Sequence, residues 1–428
     1  MTVQSMSKGI SEDKNSHAHH PAETNIQVGT NIQAGTNMLP LLPGATVGIL
    51  GGGQLGRMIA LEARRMGYKV VTLDPTPDSP CGQVADEQIT ASFTDVAAAL
   101  RLAELSDVVV YEFEDVDDQV VAAIENRVYV PQGSRLLFTT RHRLREKAAL
   151  ERAGIPVAKH SPVRSFSDLE AAADEVGLPL IVKTTTGGYD GKGQWRVRTR
   201  EGLEAVWAEM ENVVSLSPES VAVDASDAPF IAEAEVPFVC EVSVVVARGA
   251  TGEVRPFPVA ENVHRDHILQ LSICPARVSE DVLAKAQELA VRAAESLHVV
   301  GLLGVEMFVL QSGEVLVNEL APRPHNSGHY TQDACVTSQF EQVIRCVTGL
   351  PLGSPALLTP VVMSNILGEH LEGAIQSMPS WPDTFKLHLY GKEESRPKRK
   401  MGHINVVAES TDVALHQLTN LGIFGVCE

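Results

Sequence analysis

"GVEMFVLQSGEVLVNEL", residues 304–320, reads as a β-hairpin with an unusual charge pattern on one face. Two apolar runs flank Ser312-Gly313, a tight-turn pair. Centred there, Gln311 faces Glu314, Val309 faces Leu316 and Glu306 falls opposite Glu319. Opposed residues on one sheet face hold their Cβ atoms about 5 Å apart, where two like charges repel. Glu306 also sits between the apolar Val305 and Met307. Two carboxylates with Asn318 beside them form a hard-oxygen set suited to Mg²⁺, with Mn²⁺ as a substitute, bridging phosphates. An exposed face with incidental acids is the plainer alternative. The donor-rich "APRPHNSG" that follows directly weighs against it.

Upstream, the strand "PLIVK" ends at Lys183 and runs into "TTTGGYDGKGQW". Gly187, Gly188, Gly191 and Gly193 let backbone N–H groups wrap an anion, and Lys192 adds charge. This is no Walker A loop, because G-x-x-x-x-G-K-[ST] is absent. Lys183 is placed to meet a phosphate as a point charge. "IAEAEV" (231–236) is a strand end that can offer backbone groups to an adenine edge, with Glu233 or Glu241 near a ribose. Downstream, Arg323, His325, Asn326 and Ser327 form a dense donor cluster. Lys392, Arg396, Lys398, Arg399 and Lys400 concentrate positive charge next to His403, either as a solvated loop or as a grip on a sugar phosphate.

At the other end, "VGILGGGQLGRM" (47–58) fits G-x-G-x-x-G through Gly51, Gly53 and Gly56, between a strand and a helix. Asp74 ends the next apolar run, where a dinucleotide-binding protein keeps its ribose acid. The alternation of "TVGIL", "KVVTLD", "DVVVYEF" and "RVYVP" with helical stretches at 55–66 and 94–105 predicts a doubly wound parallel sheet. No second βαβαβ half follows to complete a dinucleotide site. Further helices are expected at 141–153, 201–211, 280–297 and over "SQFEQVIRCVTGL".

The whole chain of 428 residues carries a net charge of −19, which argues against nucleic acid as a partner. No apolar run is long enough to span a bilayer. Six irregularly spaced cysteines, Cys81, Cys240, Cys274, Cys335, Cys346 and Cys427, suggest reduced thiols in a cytoplasmic protein. The polar start, with its "HAHH" cluster and repeated NIQ(V/A)GT, reads as a disordered extension and not a signal peptide. Four regions are expected: that extension (1–38), a Rossmann-like domain (39–138), a nucleotide-binding domain (139–350) and a small β-rich tail (351–428).

Together "GGGQLGRM", "YEFED", "RLREK", "GGYDGKGQW", "EVSVVVAR", "NELAPRPHNSGH" and "RKMGH" resemble the ATP-grasp superfamily, and within it the ligases that carboxylate aminoimidazole ribonucleotide in purine biosynthesis. The resemblance implies an α/β ATP-grasp fold behind a Rossmann-like N-terminal domain, and a homodimer. It implies that ATP, bicarbonate and aminoimidazole ribonucleotide give the N-carboxylated product through carboxyphosphate. By resemblance, Arg143, Lys183, Gly188, Tyr189, Asp190, Gly191, Lys192, Gly193, Gln194, Glu233, Ala234, Val236, Glu241, His264, Asn318 and Glu319 contact ATP, and Glu306 and Glu319 hold Mg²⁺. Gln54, Leu55, Glu112, Glu114, Tyr189, Asp190, Arg323, His325, Asn326, Ser327, Lys392, Arg399 and Lys400 match the ribonucleotide and carboxyphosphate region, with Lys183, Asp190 and Arg323 as the catalytic set. The N-terminal glycine loop then faces the carboxylation substrate and not NAD. The rival readings are another ATP-grasp ligase (formate-dependent glycinamide ribonucleotide transformylase or biotin carboxylase), an NAD oxidoreductase, and a non-catalytic nucleotide-binding scaffold.

Overall fold

Short buried runs rich in valine and leucine build the first sheet. In the computed structural model, which describes residues 40–114, 116–188, 192–214 and 228–424, β1 (Thr46–Leu50), β2 (Lys69–Asp74), β3 (Glu87–Thr90) and β4 (Val108–Tyr111) pair in parallel in the order β3-β2-β1-β4. The helices α1 (Gln54–Arg65), α2 (Val96–Glu104) and α3 (Asp118–Ile124) alternate with them. Asp95 and Asp117 begin α2 and α3 by accepting the N–H of Ala98 and Gln119, as N-cap acids do. "RVYVP" contributes only a bridge between Val108 and Tyr129, not a strand. The sheet's edge is instead "EQIT", whose half-exposed residues carry little apolar signal.

Next come α4 (Ser134–Thr140), α5 (Arg143–Arg152), β5 (His160–Val163), α6 (Phe166–Glu175), β6 (Leu180–Thr184), β7 (Gln194–Val197), α7 (Leu203–Val214) and β8 (Phe230–Ala234). Their strands form an antiparallel sheet, β5-β8-β6-β7. Leu169, Ala172, Leu203 and Met210 from its two longer helices bury its apolar face.

The largest sheet starts at β9 (Phe238–Arg248), β10 (Val254–Pro256), β11 (Ala260–Arg265) and β12 (Ile268–Cys274). After α8 (Glu280–Ser296) it gains β13 (Gly301–Leu310) and β14 (Val315–Ala321). The chain continues through α9 (Thr331–Ala334), α10 (Gln339–Thr348), β15 (Val361–Leu367), α11 (Gly368–Ser377), β16 (Phe385–Leu389), β17 (Lys400–Val407) and α12 (Thr411–Asn420). The strand order is β14-β13-β9-β11-β12-β15-β17-β16, with β10 paired to β9. The tail therefore builds no sheet of its own: Val361–Ser364 pair with Leu271–Cys274, so its strands extend the central sheet. Two helices, α11 and α12, pack on these strands.

The hairpin register departs from expectation at its tip. Leu310, not Gln311, pairs with Glu314, and Gly313 takes a φ of +84° in a three-residue turn. Phe308 therefore faces Leu316 and Val309 faces Val315. A bulge then inserts Asn318 between Val317, opposite Met307, and Glu319, opposite Glu306. The two glutamates are paired as the pattern predicts, but by a longer turn and a bulge whose offsets cancel. Val305, Met307, Val315 and Val317 enter the core against α8, so Glu306 and Glu319 share the opposite face.

Candidate active site

The glycine loop after β1 spends its amides on the protein's own acids. Gly52 N–H donates to Asp74 Oδ2 at 2.7 Å and Gly53 N–H to Glu112 Oε1 at 2.8 Å. A Cβ on Gly51 would lie 2.6 Å from Glu112 Cγ, and one on Gly52 2.5 Å from Asp74 Cβ. The space a pyrophosphate needs is filled by two carboxylates, which removes the dinucleotide reading and the expected ribose role of Asp74. Burial pushes the Glu112 carboxyl up to about 7, against the opposing pull of the Gly53 N–H. Leu55 is buried, while the Gln54 side chain faces out of α1 and accepts from Lys392 Nζ at 2.7 Å.

The second glycine loop leaves β6 at Thr184 and returns at Gln194, which pairs with Lys183. Gly187 (φ +71°) and Gly193 (φ +67°) take backbone shapes that side chains disfavour. Arg143, at the start of α5, donates from Nη2 to Gly188 O at 3.1 Å and from Nη1 to Glu319 Oε2 at 3.2 Å, joining this loop to the hairpin. Glu233 on β8 is buried between two lysines. Lys183 Nζ bonds its Oε2, and Lys147 Nζ stands 3.4 Å from its Oε1, which accepts no hydrogen bond among the described residues. Burial opposes the Glu233 charge, but the two ammonium groups hold its carboxyl well below the usual range. A buried acceptor left open beside cationic groups fits a nucleotide's sugar or base N–H and O–H donors. Ala234 ends β8 and Val236 lies in the turn to β9, where its carbonyl accepts from Phe238 N–H at 2.9 Å. Tyr189, Asp190 and Gly191 lie outside the described residues, as do residues 1–39 with the "HAHH" cluster.

Around Glu306 the donors converge. His325 Nε2 lies 3.1 Å from Glu306 Oε1, and its Nδ1 is 2.8 Å from Ser327 Oγ. His264 Nδ1 lies 3.0 Å from Glu241 Oε2, and among the described residues Glu241, His264 and Glu306 bring possible ligand atoms within 4.8 Å of one another. Burial disfavours charge on Glu306, yet the hydrogen bond from His325 and the fields of His264 and Lys400 hold its carboxyl well below the ordinary range. Burial lowers His264, but the hydrogen bond to Glu241 together with the negative charges of Glu306 and Glu241 more than offsets it and leaves the imidazole raised. Half-buried carboxylates converging on one face fit a divalent ion. Arg323 grips Glu114 of "YEFED" through both Nε and Nη2. Lys392 turns inward to Gln54 and to the carbonyl of Lys400. The basic run is therefore not one patch. Arg396 pairs with Glu394 and Lys398 with Asp266, and Arg399 is exposed, bonding the Glu394 carbonyl at 2.7 Å.

Comparison with known proteins supplies the remaining fact. Residues 44–139 match the ribonucleotide synthetase preATP-grasp domain, 148–340 the ATP-grasp domain and 361–417 the phosphoribosylaminoimidazole carboxylase C-terminal domain. The N5-carboxyaminoimidazole ribonucleotide synthase of Bacillus subtilis (strain 168) is 47% identical over 89% of this chain and 96% of its own. The chain belongs to the N5-carboxyaminoimidazole ribonucleotide synthase family. A crystal structure of a family member in complex with ADP superposes with a TM-score of 0.83 at 50% identity, covering 90% of this chain and 98% of that one. The synthase of Aspergillus clavatus, solved with ADP and 5-aminoimidazole ribonucleotide, superposes at 0.80 with 33% identity over 88% and 97% of the two chains. The members of this family are ATP-grasp ligases, and this chain shares their α/β fold with its preATP-grasp, ATP-grasp and C-terminal parts.

Sequence reasoning missed several residues of this site. Glu146 and Lys147 are almost wholly buried on α5. Burial raises Glu146 to about 8, with Lys147 opposing. Gln339 brackets His325, accepting from its N–H at 2.9 Å and donating to its carbonyl at 2.8 Å. The available signal was charged residues three and four positions after Arg143, on the helix stripe that Leu150 continues into the core.

Proposed function

We propose that this chain carboxylates 5-aminoimidazole ribonucleotide at its exocyclic amine, using ATP and bicarbonate, in purine biosynthesis. ATP phosphorylates bicarbonate, releasing ADP. The resulting carboxyphosphate delivers its carboxyl carbon to the amine, and phosphate and a proton leave. The observation that carries the reading is the pairing of Glu306 with Glu319 on a face also reached by Arg143 and His325. Glu306 and Glu319 would hold Mg²⁺, which would supply positive charge to neutralise the phosphates during transfer. Lys183 and Arg143 meet the nucleotide's phosphates, and Glu233, Glu241 and His264 its sugar and base side. Arg323, His325, Asn326, Ser327, Lys392 and Lys400 take the ribonucleotide and carboxyphosphate, with Gln54, Glu112 and Glu114 on the wall opposite. Asp190 and Tyr189 act from the glycine loop, whose closure would keep water from carboxyphosphate.

The expected boundaries at 39–138, 139–350 and 351–428 remain part of this reading. So do a homodimer and a cytoplasmic location, the latter supported by free thiols at Cys81, Cys240, Cys274, Cys335 and Cys346. No described helix is long and apolar enough to cross a membrane. The test is ADP formation at fixed Mg²⁺ and bicarbonate. Aminoimidazole ribonucleotide should stimulate it at least about tenfold, consistent with differential use of bound acceptor. Stimulation by glycinamide ribonucleotide with formate, or by biotin, in its place would overturn the assignment.

A further inference from the structure

The bulge at Asn318 decides where Glu319 points, and a single helix grips it at three successive residues. Lys147 Nζ donates to the carbonyl of Asn318 at 2.7 Å. Arg143 Nη1 meets the carboxylate of Glu319 at 3.2 Å. Glu146 Oε2 accepts the N–H of Leu320 at 3.1 Å. All three side chains come from the first turn and a half of α5 (Arg143–Arg152). Lys147 and Glu146 are 2% and 3% exposed, so these bonds form away from solvent.

Without the inserted residue the pairing of the hairpin tip would continue unchanged. Val309 faces Val315 and Met307 faces Val317, so the next pairs would set Glu306 opposite Asn318 and Val305 opposite Glu319. Because side chains alternate along a strand, a shift of one residue turns Glu319 toward the core that Val305 and Val317 occupy. The bulge prevents this, and because β14 is the edge of its sheet, main-chain groups beside the bulge that face away from β13 find no neighbouring strand, in a buried place where an unmade hydrogen bond is costly. Glu146 and Lys147 supply those partners. Each has the chemistry its partner needs, since a carboxyl accepts the N–H and an ammonium donates to the carbonyl. Lys147 also stands 3.4 Å from Glu233, so the same side chain ties the hairpin to β8.

We propose that Glu146 and Lys147 are positioning residues that hold the Asn318 bulge and thereby aim the Glu319 carboxylate onto the face of Glu306. The proposal rests on the reading of Glu319 as a ligand for the metal–nucleotide complex. Neither residue touches substrate; both act through the backbone of β14.

The experiment compares Lys147→Met, Glu146→Met and Glu146→Gln with Glu319→Gln. Binding of Mn²⁺·ADP is read by electron paramagnetic resonance, the hairpin register from crystal structures, and the KM for aminoimidazole ribonucleotide from kinetics. Lys147→Met and Glu146→Met should weaken Mn²⁺·ADP about tenfold or more and displace Glu319 from its place opposite Glu306, while that KM changes less than about threefold; a general loss of packing would move both ligands together. Glu146→Gln keeps an acceptor for Leu320 N–H and should recover most of the binding. If Lys147→Met does not fold, Lys147→Gln, polar but too short to span to Asn318, takes its place. Wild-type register and wild-type Mn²⁺·ADP affinity in the Met variants would overturn the positioning role. Unchanged Mn²⁺·ADP binding in Glu319→Gln would overturn the ligand reading instead, whatever the register shows.

Discussion

Asp74 and Glu112 take the place that a pyrophosphate takes above a dinucleotide-binding loop, and Glu112 does so at 6% exposure. That burial has a measurable consequence. A carboxyl raised from 4.5 to about 7 binds its proton more tightly in the folded chain than in the unfolded one. Its contribution is thus fully present below about pH 4.5 and is lost as pH rises through about 7, a change of about 3 kcal/mol. Glu112→Gln should remove this dependence while still accepting the Gly53 N–H. Relative to wild type, the variant should gain stability between pH 5 and pH 8 in denaturant unfolding. An equal difference between the two proteins at both pH values would exclude the shift. At the same scale, Arg323 meets Glu114 and Lys183 meets Glu233, so each of these two cations has a protein carboxylate beside it. Substrate anions would compete with these partners, and the buried setting makes that competition strong.

Among the elements, the strand β13 shows how a site residue is seated by what is missing. Gly304 pairs with Ala321, and a Cβ there would lie 2.8 Å from His325 Cβ and 2.9 Å from its Cγ. Gln339 from α10 closes the other side by bonding both main-chain groups of His325. The imidazole is thus held between a strand with no side chain and a helix with a bidentate one. Gly304→Ala must push His325 off Glu306, at a cost of about 1–3 kcal/mol in strain. Turnover should fall at least about tenfold, with the KM for ATP changed far less. Near-normal turnover would mean that His325 need not sit where it does. The glycine was visible in "LLGVEMF", but nothing local distinguishes it from a weak point in the strand. The histidine it accommodates arrives from 21 positions later in the chain.

Over the whole molecule, the central sheet crosses from the ATP-grasp part into the tail. β12 pairs with β11 on one side and β15 on the other, and its Leu271 and Ile273 share a buried cluster with Val362, Ile404 and Leu418. The opposite face joins Val361, Met363 and Tyr390 to Phe340 and Leu269. Lys392 then reaches Gln54, 338 positions away, so tail and Rossmann-like sheet meet at the site. Unfolding of the tail should therefore not separate from that of its sheet. A chain ending at Thr359 would expose both faces of β12 and an unpaired edge, and it should aggregate or lose its cooperative transition in calorimetry. A truncated chain that melts cooperatively near the wild-type temperature would show that the tail is independent.

The residue pattern by itself determined the three-part α/β architecture, six of the twelve described α-helices, the glycine loop behind Lys183 and the pairing of Glu306 with Glu319. These are local signals: apolar periods, glycine runs and a like-charge pair that a bare hairpin disfavours. Tertiary structure alone decided that the first glycine loop is closed by its own acids, that the basic run divides between site and solvent, and that the tail's strands belong to the central sheet. It also decided the bulge at Asn318, because the groups that stabilise it lie on a helix 171 positions earlier. Buried charge is legible in a sequence only as an exception to a pattern. Which partner satisfies it depends on chain segments that meet in space, and spacing along the chain does not record that meeting.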